Sequence, residues 1–144
     1  MKLSQKQEAA YIAGINLKKE YPEYCFDNAI TYAINSNEDF IDIMDDIYYS
    51  DCWAFFKAGF NGFTPRYVTA YRYGDIPKSG YSTNWATGER EPGVSVICIG
   101  DKQVSTIYDT IYGLQDIPKI KVQGWYTGLY GSDGEPVLHD VTVI

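Results

Sequence analysis

The sequence predicts an α+β protein, a helical amino-terminal half packed on an antiparallel sheet built mainly from residues 66–144. Two observations carry that prediction. Apolar residues recur at helical spacing through about the first sixty positions, and after "GFNGFTP" the pattern changes to short runs rich in β-branched and aromatic residues. Segregating helices from strands in this way argues against a doubly wound parallel sheet, in which the two alternate. With 144 residues and 45% hydrophobic content, one domain spanning 1–144 is the expectation.

The first helix begins at Ser4, a side chain suited to capping exposed amides, with Glu8 early and Ala9, Ala10, Ile12, Ala13 and Leu17 to propagate it. Pro22 ends or offsets it. From Tyr24, one stripe holds Cys25, Ala29, Tyr32 and Ala33, and an adjoining one holds Phe26, Ile30 and Ile34. "SNEDFIDIMDDIYY" follows, its acids beginning early and Phe40, Ile43, Met44 and Ile47 on one face. The strand candidates are "RYVTAYRY", "GVSVICIG", "KIKVQGWYTGLY" and "PVLHDVTVI", each bounded by Gly, Pro or Asp. "STIYDTIYG" fits either a helix face or a strand. "GSDGEP" reads as a tight turn in which Gly131 and Gly134 supply positive φ.

The net charge of −7 argues against wrapping a long nucleic acid, which usually takes a basic face, although a pocket for a small anion needs only two or three local cations. Cys25, Cys52 and Cys98 are few and widely spaced, with His139 the single imidazole. They read as reduced, mostly buried thiols, so neither a disulfide framework nor a zinc site is expected. "DIMDD" and "GSDGE" read as an acidic helix segment and a turn, so no metal is expected, and no cofactor motif is present. "MKLSQKQEAAYIAGI" lacks the apolar stretch and cleavage site of a signal peptide, and no run approaches the roughly 20 apolar residues of a membrane span. These features point to the cytosol of a bacterial or infected bacterial cell, with no membrane partner.

The chemistry concentrates between residues 66 and 96. All three arginines, Arg66, Arg72 and Arg90, fall there, while eight of the nine lysines lie elsewhere in the chain, Lys78 being the exception. Arginine matches phosphate oxygens with a planar fork of donors. On a strand, Arg66 and Arg72 share a face with Val68 and Ala70, and Tyr71 and Tyr73 take the other. The loop "GYSTNW" adds Tyr81, Ser82, Thr83 and Asn84 between glycines that let backbone amides approach an anion. The candidate ligand-binding residues are therefore Arg66, Tyr71, Arg72, Tyr73, Tyr81, Ser82, Asn84 and Arg90. The bland counterpart is a polar hairpin whose side chains bond their own backbone.

An enzymatic reading exists. Arg72, Ser82, Thr83, Glu89 and Glu91 follow the order of the arginine, Ser-Thr-Ser and Glu-x-Glu elements of ADP-ribosyltransferases. Ser82 and Glu89 are only seven positions apart, too close for two motifs on well-separated strands. His139 lacks a framed nucleophile.

"YRYG", "GYSTNW", "EPGVSV" and "GSDGEPVL" resemble, over residues 66–138, the small phage proteins that defeat Thoeris immunity by sequestering a cyclic ADP-ribose isomer. That resemblance implies a non-catalytic, homo-oligomeric sponge that encloses an intact nucleotide between subunits, some members also taking small cyclic oligonucleotides. It offers Arg72 and Arg90 for phosphate, Tyr73 or Tyr81 for stacking and Asn84 for polar recognition. Fourteen tyrosines in a short chain also suit an oligomer interface. A third reading is a phage structural or protein-interaction domain, whose aromatics contact a protein.

Overall fold

A computed structural model describes residues 1–49, 52–74, 80–83, 90–131 and 134–144. The class is α+β. The chain divides into two compact units, the helical Met1–Pro65 and the largely stranded Arg66–Ile144.

In the helical unit, α1 (Gln5–Glu20) starts where Ser4 predicts. Ser4 Oγ accepts from the Gln7 amide at 3.2 Å and the Ser4 amide donates to Gln7 Oε1 at 2.9 Å, a reciprocal capping box. α2 (Phe26–Ser36) buries Phe26, Ala29 and Ala33, whereas Tyr32 and Ile34 of the expected stripes are exposed. α3 (Glu38–Tyr49) buries Phe40 and Ile47 and leaves Ile43 exposed. α4 (Trp53–Asn61) ends at Gly62 with φ 73, and the Phe63 amide returns to the Ala58 carbonyl at 2.9 Å. That closure needs a left-handed residue, which glycine supplies without a Cβ penalty.

The unit is held by a close crossing of α1 on α4. A methyl on Gly14 would strike the Phe56 carbonyl and lie 2.8 Å from the Phe60 nitrogen, and one on Gly59 would strike the Tyr11 carbonyl. Beside this crossing Phe26 meets Trp53, Phe56 and Phe60 with ring centroids 5.3–5.5 Å apart.

The second unit contains β1 (Arg66–Tyr73), β2 (Gly80–Thr83), β3 (Arg90–Ser95), β4 (Cys98–Ile99), α5 (Ile107–Ile111), β5 (Lys119–Tyr130) and β6 (Pro136–Val143). The strand order is β2-β3-β6-β5-β1-β4, and every pairing is antiparallel. Three expectations change here. "GYST" is a strand, not a loop. "GVSVICIG" splits into the end of β3 and all of β4, and the ambiguous "STIYDTIYG" contains a short helix. The split follows from curvature: the Val96 amide bonds the Pro136 carbonyl of β6, and the next amide, Ile97, bonds the Tyr71 carbonyl of β1. One bent segment thus pairs with strands on both sides of the β6-β5-β1 core, so the sheet curls on itself. Curling is helped by a bulge where Gln123 faces Thr142 but Trp125 faces His139, with Asp140 at φ 53 as the extra residue. After β5, Gly134 takes φ 81, and Gly131 contributes its amide to the Glu135 carbonyl.

Candidate functional site

Strand β1 places its residues as the alternation predicts, and their environments then diverge. Arg66, at the exposed start of the strand, lies over the Tyr126 ring at 5.6 Å. Cation and ring thereby support each other at an open site. The Tyr126 hydroxyl pKa is pushed up to about 12, chiefly by burial and then by Tyr130. Arg72, three pleat repeats further along, is only 2% exposed.

The surroundings of Arg72 are unusual for a buried cation. Its Nε donates to the Tyr73 carbonyl at 3.3 Å, and its Nη2 is buried without a hydrogen-bond partner among the described residues. The ion pair found among those residues is Lys119–Asp109, so no described carboxylate answers the guanidinium. Trp53 Nε1 and Thr127 Oγ1 are also buried without partners there, but both are neutral. A buried charge is costly unless an anion and its hydrogen bonds compensate it.

The two strand tyrosines are engaged by their own unit. Tyr71 donates its hydroxyl to the Asp101 carbonyl at 3.2 Å. Tyr73 is buried and donates to Asp109 Oδ1, with Thr106 Oγ1 at 3.3 Å. Lys119 Nζ completes the cluster, 2.6 Å from Asp109 Oδ2 and 2.7 Å from the Val104 carbonyl. The Lys119 and Tyr73 hydrogen bonds hold the Asp109 carboxyl down at about 2, while burial and the Asp109 charge raise Tyr73. The network fixes α5 and its flanks to β1 and β5. It also sets the carbonyl that receives Arg72 Nε, because that carbonyl belongs to Tyr73. Both tyrosine hydroxyls are thus committed to internal bonds. Neither Asp109 nor Lys119 was singled out by the sequence, although a carboxylate inside the apolar "TIYDTIYG" is the mark of a buried polar partner.

The remaining predicted residues sit across the sheet. In the β2–β3 hairpin Tyr81 pairs with Pro92, Ser82 with Glu91 and Thr83 with Arg90. Asn84 and Glu89 lie outside the described residues. Strands β6 and β5 stand between β3 and β1, so Arg90 and Arg72 are three inter-strand steps apart, about 14 Å along the sheet. The hairpin unites Arg90, Ser82 and Glu91 in register, and the strand order separates them from Arg72. His139 is a buried strand residue opposite Trp125.

The cysteines are free, and Cys25 is exposed and Cys98 half-buried, contrary to the expectation of mostly buried thiols. Cys25 is the N-cap of α2, and its side chain makes no capping hydrogen bond. Among the described residues no three His, Cys, Asp or Glu side chains converge as a metal site, and no helix is long and apolar enough to cross a membrane. Comparison with protein-family models, curated proteins and solved structures finds no match for the chain.

Proposed function

We propose that this protein binds a small phosphate-bearing nucleotide signal and holds it without chemical change, as a phage-type anti-defence sponge acting in the host bacterial cytosol. The observation that carries the reading is Arg72, a guanidinium 2% exposed with Nη2 unpaired among the described residues. A phosphate oxygen is the partner such a fork is shaped for. The cost of burying the cation is then recovered on binding, so the free protein stores a preference for an anion.

Arg90 and Arg72 are about 14 Å apart along the sheet, whereas the two phosphates of a cyclic ADP-ribose isomer are neighbours in one pyrophosphate, so a single copy does not bring both arginines onto it readily. Assembly into a homo-oligomer, which would bring the β2–β3 hairpin of one copy to Arg72 of another, is the arrangement this reading uses. Thermal unfolding with a panel of cyclic ADP-ribose isomers, cyclic oligonucleotides, NAD and ADP-ribose tests the reading. A ligand at a hundred times its Kd adds about 2.7 kcal/mol to stability. Chromatography of the ligand released by heating then shows whether it is intact.

One observation favours the ADP-ribosyltransferase reading, the direct pairing of Ser82 with Glu91. The position of Arg72 four strands from β2 counts against it, since one NAD would have to span that separation. A cleaved or transferred product in the same experiment selects the enzyme.

A further inference from the structure

Residues of α1 and α3 line a groove of about 650 Å³. Its α1 wall includes Lys6, Ala9, Ile12, Ala13 and the polar Asn16, and its α3 wall Ile43, Asp46 and Ile47. The alanines keep the floor shallow, so another backbone can approach closely. Ile12 is 47% exposed and Ile43 is 43% exposed. Ile43 belongs to the face that helical spacing picks out in the sequence.

Charge decides what fits. α3 carries Glu38, Asp39, Asp42, Asp45 and Asp46 and no base, and none of the five is in an ion pair among the described residues. At 100° per residue, Asp39, Asp42 and Asp46 form a stripe directly beside Ile43 and Ile47. An apolar channel bordered by Asp39, Asp42 and Asp46 against one lining base, Lys6, keeps a net acidic rim that repels anionic lipid and nucleic acid, and a second copy of a chain with net charge −7 brings the same acids to meet it. What remains is a basic apolar partner.

We infer that the α1–α3 groove is a docking site for a basic amphipathic helix of another protein, its apolar stripe on Ala9, Ala13 and Ile43 and its Lys or Arg edge along Asp39, Asp42 and Asp46. This is helix-in-groove recognition, with anchors at i, i+3, i+4 and i+7 for affinity and rim charge for orientation and capture. The groove lies wholly within Met1–Pro65, so the inference stands independently of the Arg72 site.

The test uses the full chain and a labelled peptide of about sixteen residues built from Leu, Ala and Lys with helical apolar spacing. Controls are the same composition scrambled and the same pattern with Glu for Lys. Fluorescence anisotropy at about 0.15 M salt keeps screening near physiological. The amphipathic Lys peptide is expected to bind with Kd on the order of 10 μM, and the controls at least about tenfold more weakly. Ala9→Arg, at an exposed position, and the triple change Asp39→Asn, Asp42→Asn, Asp46→Asn are each expected to weaken binding by about tenfold or more. Equal binding of the scrambled peptide, or parent-like binding by both variants, overturns the proposal. So does sedimentation showing that copies of the chain associate with each other and that Ala9→Arg abolishes the association.

Discussion

Replacing Arg72 by Met should make the protein more stable. The guanidinium is almost fully buried, and no described carboxylate pairs with it. Its loss therefore strands no opposite charge among the described residues, the usual reason that breaking a buried pair is destabilising. Exchanging buried ionic groups for apolar ones of similar volume is worth about 1–4 kcal/mol. Against that stands the bond from Nε to the Tyr73 carbonyl, 3.3 Å long and worth about 1 kcal/mol net. The balance is a gain of about 2 kcal/mol, equivalent to a rise of roughly 5 to 15 °C in the unfolding midpoint of a small domain. Urea unfolding followed by tryptophan fluorescence and by far-ultraviolet circular dichroism measures it. A fall in the midpoint at unchanged slope would refute the reasoning, because it would mean that Arg72 is held by compensating interactions and has a structural task.

Four further outcomes follow from the geometry. Gly14→Ala should cost at least about 3 kcal/mol, because a methyl there meets the Phe56 carbonyl and Phe60 nitrogen, backbone atoms that cannot rotate away; thermal melts decide it. Ser4→Ala should cost about 1 kcal/mol by removing the capping box, read as a lower urea midpoint. Asp109 is depressed to about 2 in the fold, so its contribution is present above the ordinary carboxylate range and is lost as pH falls from about 4 toward 2. The urea midpoint of the parent should therefore drop through that window more steeply than that of Asp109→Asn, and parallel curves would contradict the Lys119 and Tyr73 hydrogen bonds. Lys19→Ala should leave ligand binding unchanged by calorimetry; Lys18 is the poorer control, since its ammonium lies 4.9 Å from the Phe60 ring centre.

Local signals in the sequence located most elements because each one has a local cause. Ser4 with Gln7 closes a capping box, "RYVTAYRY" and "KIKVQGWYTGLY" coincide with whole strands, and Arg66 and Arg72 share a face because a strand alternates. What periodicity could not supply is anything that depends on two distant segments. The stripe containing Ile43 has helical spacing, yet whether it is covered depends on how far α3 stands from α1. Splitting "GVSVICIG" required knowing that β6 and β1 lie on either side of it. The site was legible as a concentration of arginine and tyrosine, and its geometry was not: strand order puts β6 and β5 between Arg90 and Arg72, and burial commits the Tyr73 hydroxyl to Asp109. Asp109 and Lys119 are ten residues apart in a stretch without regular period, which is why the network escaped notice.

The central claim is that Arg72 is kept for an anionic ligand that leaves the protein unchanged. Calorimetry of the parent, Arg72→Ala and Arg72→Lys against cyclic ADP-ribose isomers tests it most directly. Each charge-assisted bond to phosphate is worth roughly 1.5 to 3 kcal/mol, so Arg72→Ala should weaken binding about ten- to a hundredfold, and Arg72→Lys should restore only part of it for want of the planar fork. The ligand recovered from the parent should elute unaltered. Equal affinity in the parent and Arg72→Ala, or a cleaved product, would contradict the account.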